Sequence, residues 1–128
     1  MLDHLLLLLS IDRFLYRIFK SDALKDVLKA IDKAKGSDTI VYSLKDHNPF
    51  VEYAVITTAT NVRQLQAIAG YVRDELLQNN HGFRHIEGND SSKWLLVDSD
   101  DIVVHIFEEN ERDVYALEKL YANCKRVF

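Results

Sequence analysis

The sequence predicts an α/β (α+β) protein, a mixed β-sheet of about five strands with flanking helices, and three observations carry that prediction. Apolar residues recur at helical spacing at Leu24, Val27, Leu28 and Ile31, and again at Val62, Leu65, Ala69, Val72 and Leu76. Runs rich in β-branched and aromatic residues, around Ile40 to Tyr42, Tyr53 to Thr58 and Ile102 to Phe107, read as strands. A helical segment separates the second of these runs from the later ones, an order that suits a sheet containing both parallel and antiparallel neighbours.

The elements follow in order. The first body helix starts near Ser21 and stops at Gly36. Residues 38–44 form a first strand, a polar loop ends at Asn48 and Pro49, and residues 52–58 form a second. Asn61 caps the next helix, with Gln64 three residues on in a capping-box arrangement, and Asn79, Asn80 and Gly82 end it. Residues 83–87 suit a short edge strand, residues 93–97 and 102–107 two strong ones, and a last helix is expected with Asn110 as its cap and Asp113 in its first turn.

The chain has 128 residues, enough for one core and too few for two ordinary domains. We therefore expect a single domain over residues 21–128, preceded by a helical extension over residues 1–20. The run Leu5 to Leu9 is short and is bounded by Asp3, Asp12 and Arg13, so neither a signal peptide nor a membrane span is expected. It reads either as an amphipathic helix reaching Phe19 or as a partner- or dimer-binding segment.

Charge narrows the function. With 20 acidic and 16 basic residues, the net charge of -4 repels phosphate backbones, so no sequence-specific nucleic-acid binding is expected and a basic protein is the favoured partner. Cys124 is the single cysteine, which leaves no internal disulfide and points to a reducing cytoplasm.

The terminal hairpin is the most informative stretch. A turn within Asp98-Ser99-Asp100-Asp101 would pair Val97 with Ile102, Leu96 with Val103 and Trp94 with His105. Leu95, Val97, Ile102, Val104 and Ile106 then share one aliphatic face, which must be core. Trp94, Leu96, Asp98, Asp101, Val103, His105 and Phe107 share the other, an aromatic and apolar patch bordered by carboxylates. That face is either a partner surface or lies beneath a helix. In the last helix Val114, Leu117, Tyr121 and Cys124 make an apolar stripe, and Tyr115 points away from it among Glu111, Arg112, Glu118 and Lys119.

Catalytic readings find little support. Asp98, Asp100 and Asp101 could attract magnesium, yet they also suit a polar turn, and no phosphate loop accompanies them among four glycines. His81 and His85 stand four apart with Gly82 between them, against a helix that would present both to a metal. Cys124 suits a small core residue better than a nucleophile. No catalytic residue, metal or cofactor is expected.

Several segments resemble one family. Glu87-Gly88, Ser92 to Asp98, Asp101 to Ile106 and Tyr115 to Tyr121 are similar, in order and spacing, to the signature of the ribosomal silencing factors (RsfS, or iojap), and Val55 to Asn61 is similar to that family's strand running into a helix. The likeness covers about Ala23 to Tyr121. Asp100 stands where the family commonly has glycine, and Glu52 replaces a usual aspartate. The resemblance implies a nucleotidyltransferase-like fold without catalytic motifs. It also implies binding to the large ribosomal subunit through its fourteenth protein, a basic one at the intersubunit face, so that subunit joining is blocked and translation repressed; a homodimer is a further expectation. By motif match, Trp94, Asp98, His105, Tyr115 and Glu118 are the implied contacts. The alternative is a divergent nucleotidyltransferase-type enzyme holding magnesium and a nucleotide at the acidic turn.

Overall fold

A computed structural model of the chain describes residues 22–128; the expected extension over residues 1–20 lies outside the described residues. The elements are α1 (Asp22–Lys33), β1 (Ser37–Ser43), β2 (Tyr53–Ala59), α2 (Val62–Gln78), β3 (Phe83–Glu87), β4 (Trp94–Ser99), β5 (Ile102–Glu108), α3 (Glu109–Tyr115), α4 (Leu117–Leu120) and β6 (Lys125–Arg126). Six strands lie in the order β3-β4-β5-β2-β1-β6. Of these neighbours only β2 and β5 run parallel, with α2, β3 and β4 between them along the chain, and every other neighbouring pair is antiparallel. The sheet is mixed, as expected, with one strand more than the sequence suggested. That strand, β6, is two charged residues long and has no pattern to read; it forms because backbone bonds between Val127 and Val41 and between Val41 and Phe128 extend the pairing beside it.

The alternation of the strands builds two apolar layers. Val41, Val55, Leu95, Val97, Ile102, Val104 and Ile106 face α1 and α2, meeting Leu24, Val27, Leu28 and Ile31 from one helix and Leu65, Ile68, Val72 and Leu76 from the other. The opposite face carries Tyr42, Ala54, Ile56 and Phe107, covered by Leu117, Tyr121 and Cys124 of the C-terminal segment.

Local chemistry fixes the helix ends. Past α1 the chain turns through Lys35 (φ 64°), with the Gly36 N–H donating to Ile31 O at 2.9 Å and the Lys35 N–H to Asp32 O at 3.0 Å, a double closure that satisfies the last carbonyls. Lysine therefore occupies the left-handed position. Gly36 is needed for a different reason: a Cβ there would come within 2.6 Å of Ile31 Cγ2 and 2.8 Å of Thr57 Oγ1. At the start of α2, Asn61 Oδ1 accepts the Gln64 N–H at 2.8 Å, and Gln64 Oε1 accepts the Thr60 N–H at 2.7 Å, one residue earlier than a standard box. The Gln64 amide also donates to Lys35 O at 2.8 Å, so one side chain ties the start of α2 to the end of α1.

The C-terminal helix differs from expectation. It is broken at Ala116, which adopts a left-handed backbone (φ 48°, ψ 47°), giving two short helices where the sequence suggested one. The break lets the chain turn back over the sheet, so Leu117, Tyr121 and Cys124 pack inward while Val114, expected on their stripe, is 71% exposed. Asn110 is not the cap: α3 follows β5 directly, Glu108 stands at the N-cap without a side-chain bond, and the Asn110 amide donates to Glu108 Oε1 at 3.0 Å. Acidic residues still occupy the first turn, as Glu109 and Glu111 rather than Asp113.

Candidate functional site

The hairpin register is shifted by two residues from the expected one. Trp94 pairs with Phe107, Leu96 with His105 and Val97 with Val104, because the two turn residues are Asp100 and Asp101 and the strands extend to Ser99 and Ile102. An even shift preserves every face. The aliphatic side is buried throughout, and Trp94, Leu96, Asp98, Val103, His105 and Phe107 share the other. Asp100 needs no left-handed backbone, since the positive-φ non-glycine residues are Lys35, Asp38, Asn80 and Ala116. It faces Arg84 of the neighbouring strand at 3.4 Å instead.

Trp94 is diagonal to His105 and still bonds to it. Its indole Nε1–H donates to His105 Nδ1 at 3.3 Å, and His105 Nε2 lies 3.2 Å from the Tyr121 hydroxyl. Indole nitrogen only donates, so Nδ1 is unprotonated and the imidazole proton sits on Nε2, donated to Tyr121. Burial holds the His105 ring neutral, with its pKa pushed down to about 4. Burial likewise raises the Tyr121 hydroxyl, with Cys124 adding to the effect.

An aromatic cluster forms around this bond. The Trp94 ring stacks on Phe107 at 5.1 Å and meets Tyr115 at 4.6 Å, both centroid to centroid. Tyr115, at the end of α3, thus lies over Trp94 and Phe107 rather than pointing away, as the single-helix reading had it. Its ring remains half exposed, and Leu120 nearby is 70% exposed. Trp94, Leu96, His105, Leu117 and Leu120, with Glu87 and Gly88 at the rim, line an open and mostly apolar groove of about 430 Å³. The alternative of a face sealed by a helix holds only in part: α3 and α4 bury Phe107 and leave His105 at 8% exposure, whereas Trp94 stays reachable.

The charged members have distinct positions. Asp98 is partly exposed on β4, 3.9 Å from His85 Nδ1, and His85 Nε2 is also 2.9 Å from Glu87. Glu118 accepts from Arg112 Nε at 2.7 Å, and the nearly buried Arg112 guanidinium donates as well to Thr58 Oγ1 at 2.7 Å and to the Asp38 carbonyl. Partial burial works upward on the Glu118 carboxyl, but the Arg112 hydrogen bond, a backbone bond and the Arg112 charge together leave its pKa lowered. Nothing in a run of charges marks Arg112 as a buried clasp. Leu117 and Leu120 were likewise missed as groove residues, because a continuous helix would have set them at other angles.

At the acidic turn, Asp98 lies within β4 and Asp100 faces Arg84. Among the described residues, no group of three His, Cys, Asp or Glu side chains stands close enough to hold an ion. His81 pairs with Asp26 at 2.9 Å and His85 with Glu87, so the two histidines serve different partners. No described helix is long and apolar enough to cross a membrane.

Residues 19–127 match the family described as ribosomal silencing factor during starvation. The chain is 33% identical to the ribosomal silencing factor RsfS of Bacillus subtilis over 101 residues, 79% of this chain and 86% of that one. A mouse protein named for mitochondrial assembly of the ribosomal large subunit is 29% identical over 106 residues, 80% of this chain and 45% of its own length. A crystal structure of a Chromobacterium violaceum protein superimposes with a TM-score of 0.76 at 29% identity, covering 84% of this chain and 89% of that one.

Proposed function

This chain belongs to the ribosomal silencing factor family, and on that premise we propose that it docks on the large ribosomal subunit and blocks subunit joining by occupying the intersubunit face. The partner is a basic protein of that subunit, the fourteenth, and no chemistry takes place. The observation that carries this reading is the reachable Trp94 in a mostly apolar groove whose lining includes Glu87, with Asp98 farther along the same face of β4. A packed aromatic anchor supplies binding energy on losing water, while acidic neighbours select lysine and arginine on the partner. The name of the mouse relative supports a large-subunit partner.

Within the site, Trp94 and Tyr115 present ring surface and Asp98 presents a carboxylate to the partner. His105 forms part of the groove floor and sets the Trp94 ring angle, and Glu118 holds Arg112 while its outer edge stays open to a cation. The protein acts in the cytoplasm, associated with ribosomes. Sucrose-gradient sedimentation of purified subunits tests this: adding the protein moves material from joined to free subunits, and it co-migrates with the large one. An unchanged profile with no co-migration overturns the reading.

A further inference from the structure

At the sheet edge away from the aromatic groove lies a second recess of different chemistry. Because β2, β1 and β6 are neighbours, Tyr53, Ser43 and Lys125 stand in one cross-strand row. Lys45 and His47, from the turn after β1, and Asn123, just before β6, complete the wall of a cleft of about 600 Å³. The lining offers hydroxyls, an amide, an imidazole and two ammonium groups, nearly all of them donors. One carboxylate, Asp46, shares it.

Both lysines are exposed, and neither forms an ion pair with a described residue. In a chain whose net charge is -4, a lining with two ammonium groups against the one carboxylate of Asp46 is less acidic than the chain as a whole, although the Glu52 charge also acts on the Tyr53 hydroxyl. Lysine binds phosphate as a point charge, and hydroxyl and amide donors complete the contact with its oxygens. We propose that this cleft binds a phosphate group, presented by a nucleotide or by an RNA backbone.

The site is independent of the ribosome-docking groove. Tyr53 and Ser43 belong to the alternation that faces α1 and α2, Trp94 and Leu96 to the opposite one, and the two recesses occupy different ends of the strand order. Phosphate capture therefore leaves the Trp94 groove open, and both can be filled in one complex.

Calorimetric titration of the full chain at low salt with inorganic phosphate, with adenosine diphosphate and with a short single-stranded RNA tests the proposal. Saturable binding is expected for at least one probe, weakened about tenfold by Lys45→Ala or Lys125→Ala, as expected for losing a charge-assisted hydrogen bond. Asp46→Asn strengthens it and Trp94→Ala leaves it unchanged. Binding of the diphosphate but not of RNA assigns the nucleotide source, and salt-sensitive binding of RNA alone assigns the backbone. The substituted side chains are exposed, so circular dichroism is expected to match the parent. No saturable binding of any probe, or binding indifferent to both lysines, overturns the proposal.

Discussion

Because the indole of Trp94 can only donate, the His105 ring between it and Tyr121 works as a neutral acceptor on one side and a donor on the other. Protonation would set two donors face to face across the Trp94 bond. The folded state lowers the His105 pKa from 6.5 to about 4, so the unfolded chain binds the extra proton first as the medium is acidified. The stability contributed by the neutral ring is complete above about pH 6.5 and is lost as pH falls toward 4, a difference of roughly 3 kcal/mol across that window. Trp94 is the single tryptophan, so its fluorescence reports the neighbouring ring directly. Urea melts at pH 5 and 7 are expected to differ less in His105→Gln than in the parent chain; an equal difference would clear His105 of the effect. Glu118 adds to acid sensitivity in the same direction, since its lowered pKa marks a carboxylate whose pairing with Arg112 is lost on protonation. For binding, Trp94→Ala is expected to weaken large-subunit affinity by at least ~2 kcal/mol, as befits an anchor in a groove. Unchanged affinity in a quantitative pelleting assay would remove Trp94 from the interface.

At the level of elements, turns and close approaches decide what lies where. Gly36 has no room for a Cβ between Ile31 and Thr57, so Gly36→Ala must push α1 away from β2. Overpacking of this kind costs about 2 kcal/mol, measurable as a lower urea midpoint with an unchanged slope; a midpoint equal to that of the parent would mean the neighbours yield freely. The helix end at Gly36 was legible as a stop signal, but not the reason for the glycine, which depends on Thr57 from a strand 21 positions later. The same division runs through the site. Alternation along β4 and β5 was enough to sort core from patch, and it survived a two-residue error in register because the period is two. The break at Ala116 was not legible, since alanine, unlike glycine or asparagine, gives no cue for a left-handed position. Arg112 holds that break together by joining α3 to Glu118, to β2 through Thr58 and to the carbonyl of Asp38. Arg112→Met is therefore expected to release α3 and α4 and expose Phe107, seen as faster amide exchange in β5. Exchange as slow as in the parent would show that apolar packing alone fastens the segment.

Over the whole molecule, the sheet separates tasks by face. One side is sealed by α1 and α2 and supplies stability, and its pattern was plain in the sequence because long amphipathic helices and aliphatic strands each announce a buried side. The other is only partly covered by four-residue and seven-residue helices, and how far it is covered was not legible, because that depends on one backbone angle and on a buried guanidinium. On the proposed reading, apolar and aromatic surface at the uncovered part gives affinity, while the net charge of -4 acts at longer range on a basic partner. These two contributions separate kinetically. Long-range attraction speeds encounter and is screened over about 8 Å at 0.15 M ionic strength, whereas a desolvated aromatic contact chiefly governs how long the complex lasts. Raising salt from 0.05 to 0.5 M, roughly a threefold drop in screening length, is therefore expected to slow association with the large subunit and to leave dissociation nearly constant. Trp94→Ala should do the reverse, speeding dissociation while keeping the salt dependence of the parent. Stopped-flow or surface-based kinetics on immobilised large subunits distinguish the two. An association rate indifferent to salt would mean that the acidic surface takes no part in finding the partner, and that the aromatic groove recognises it by shape alone.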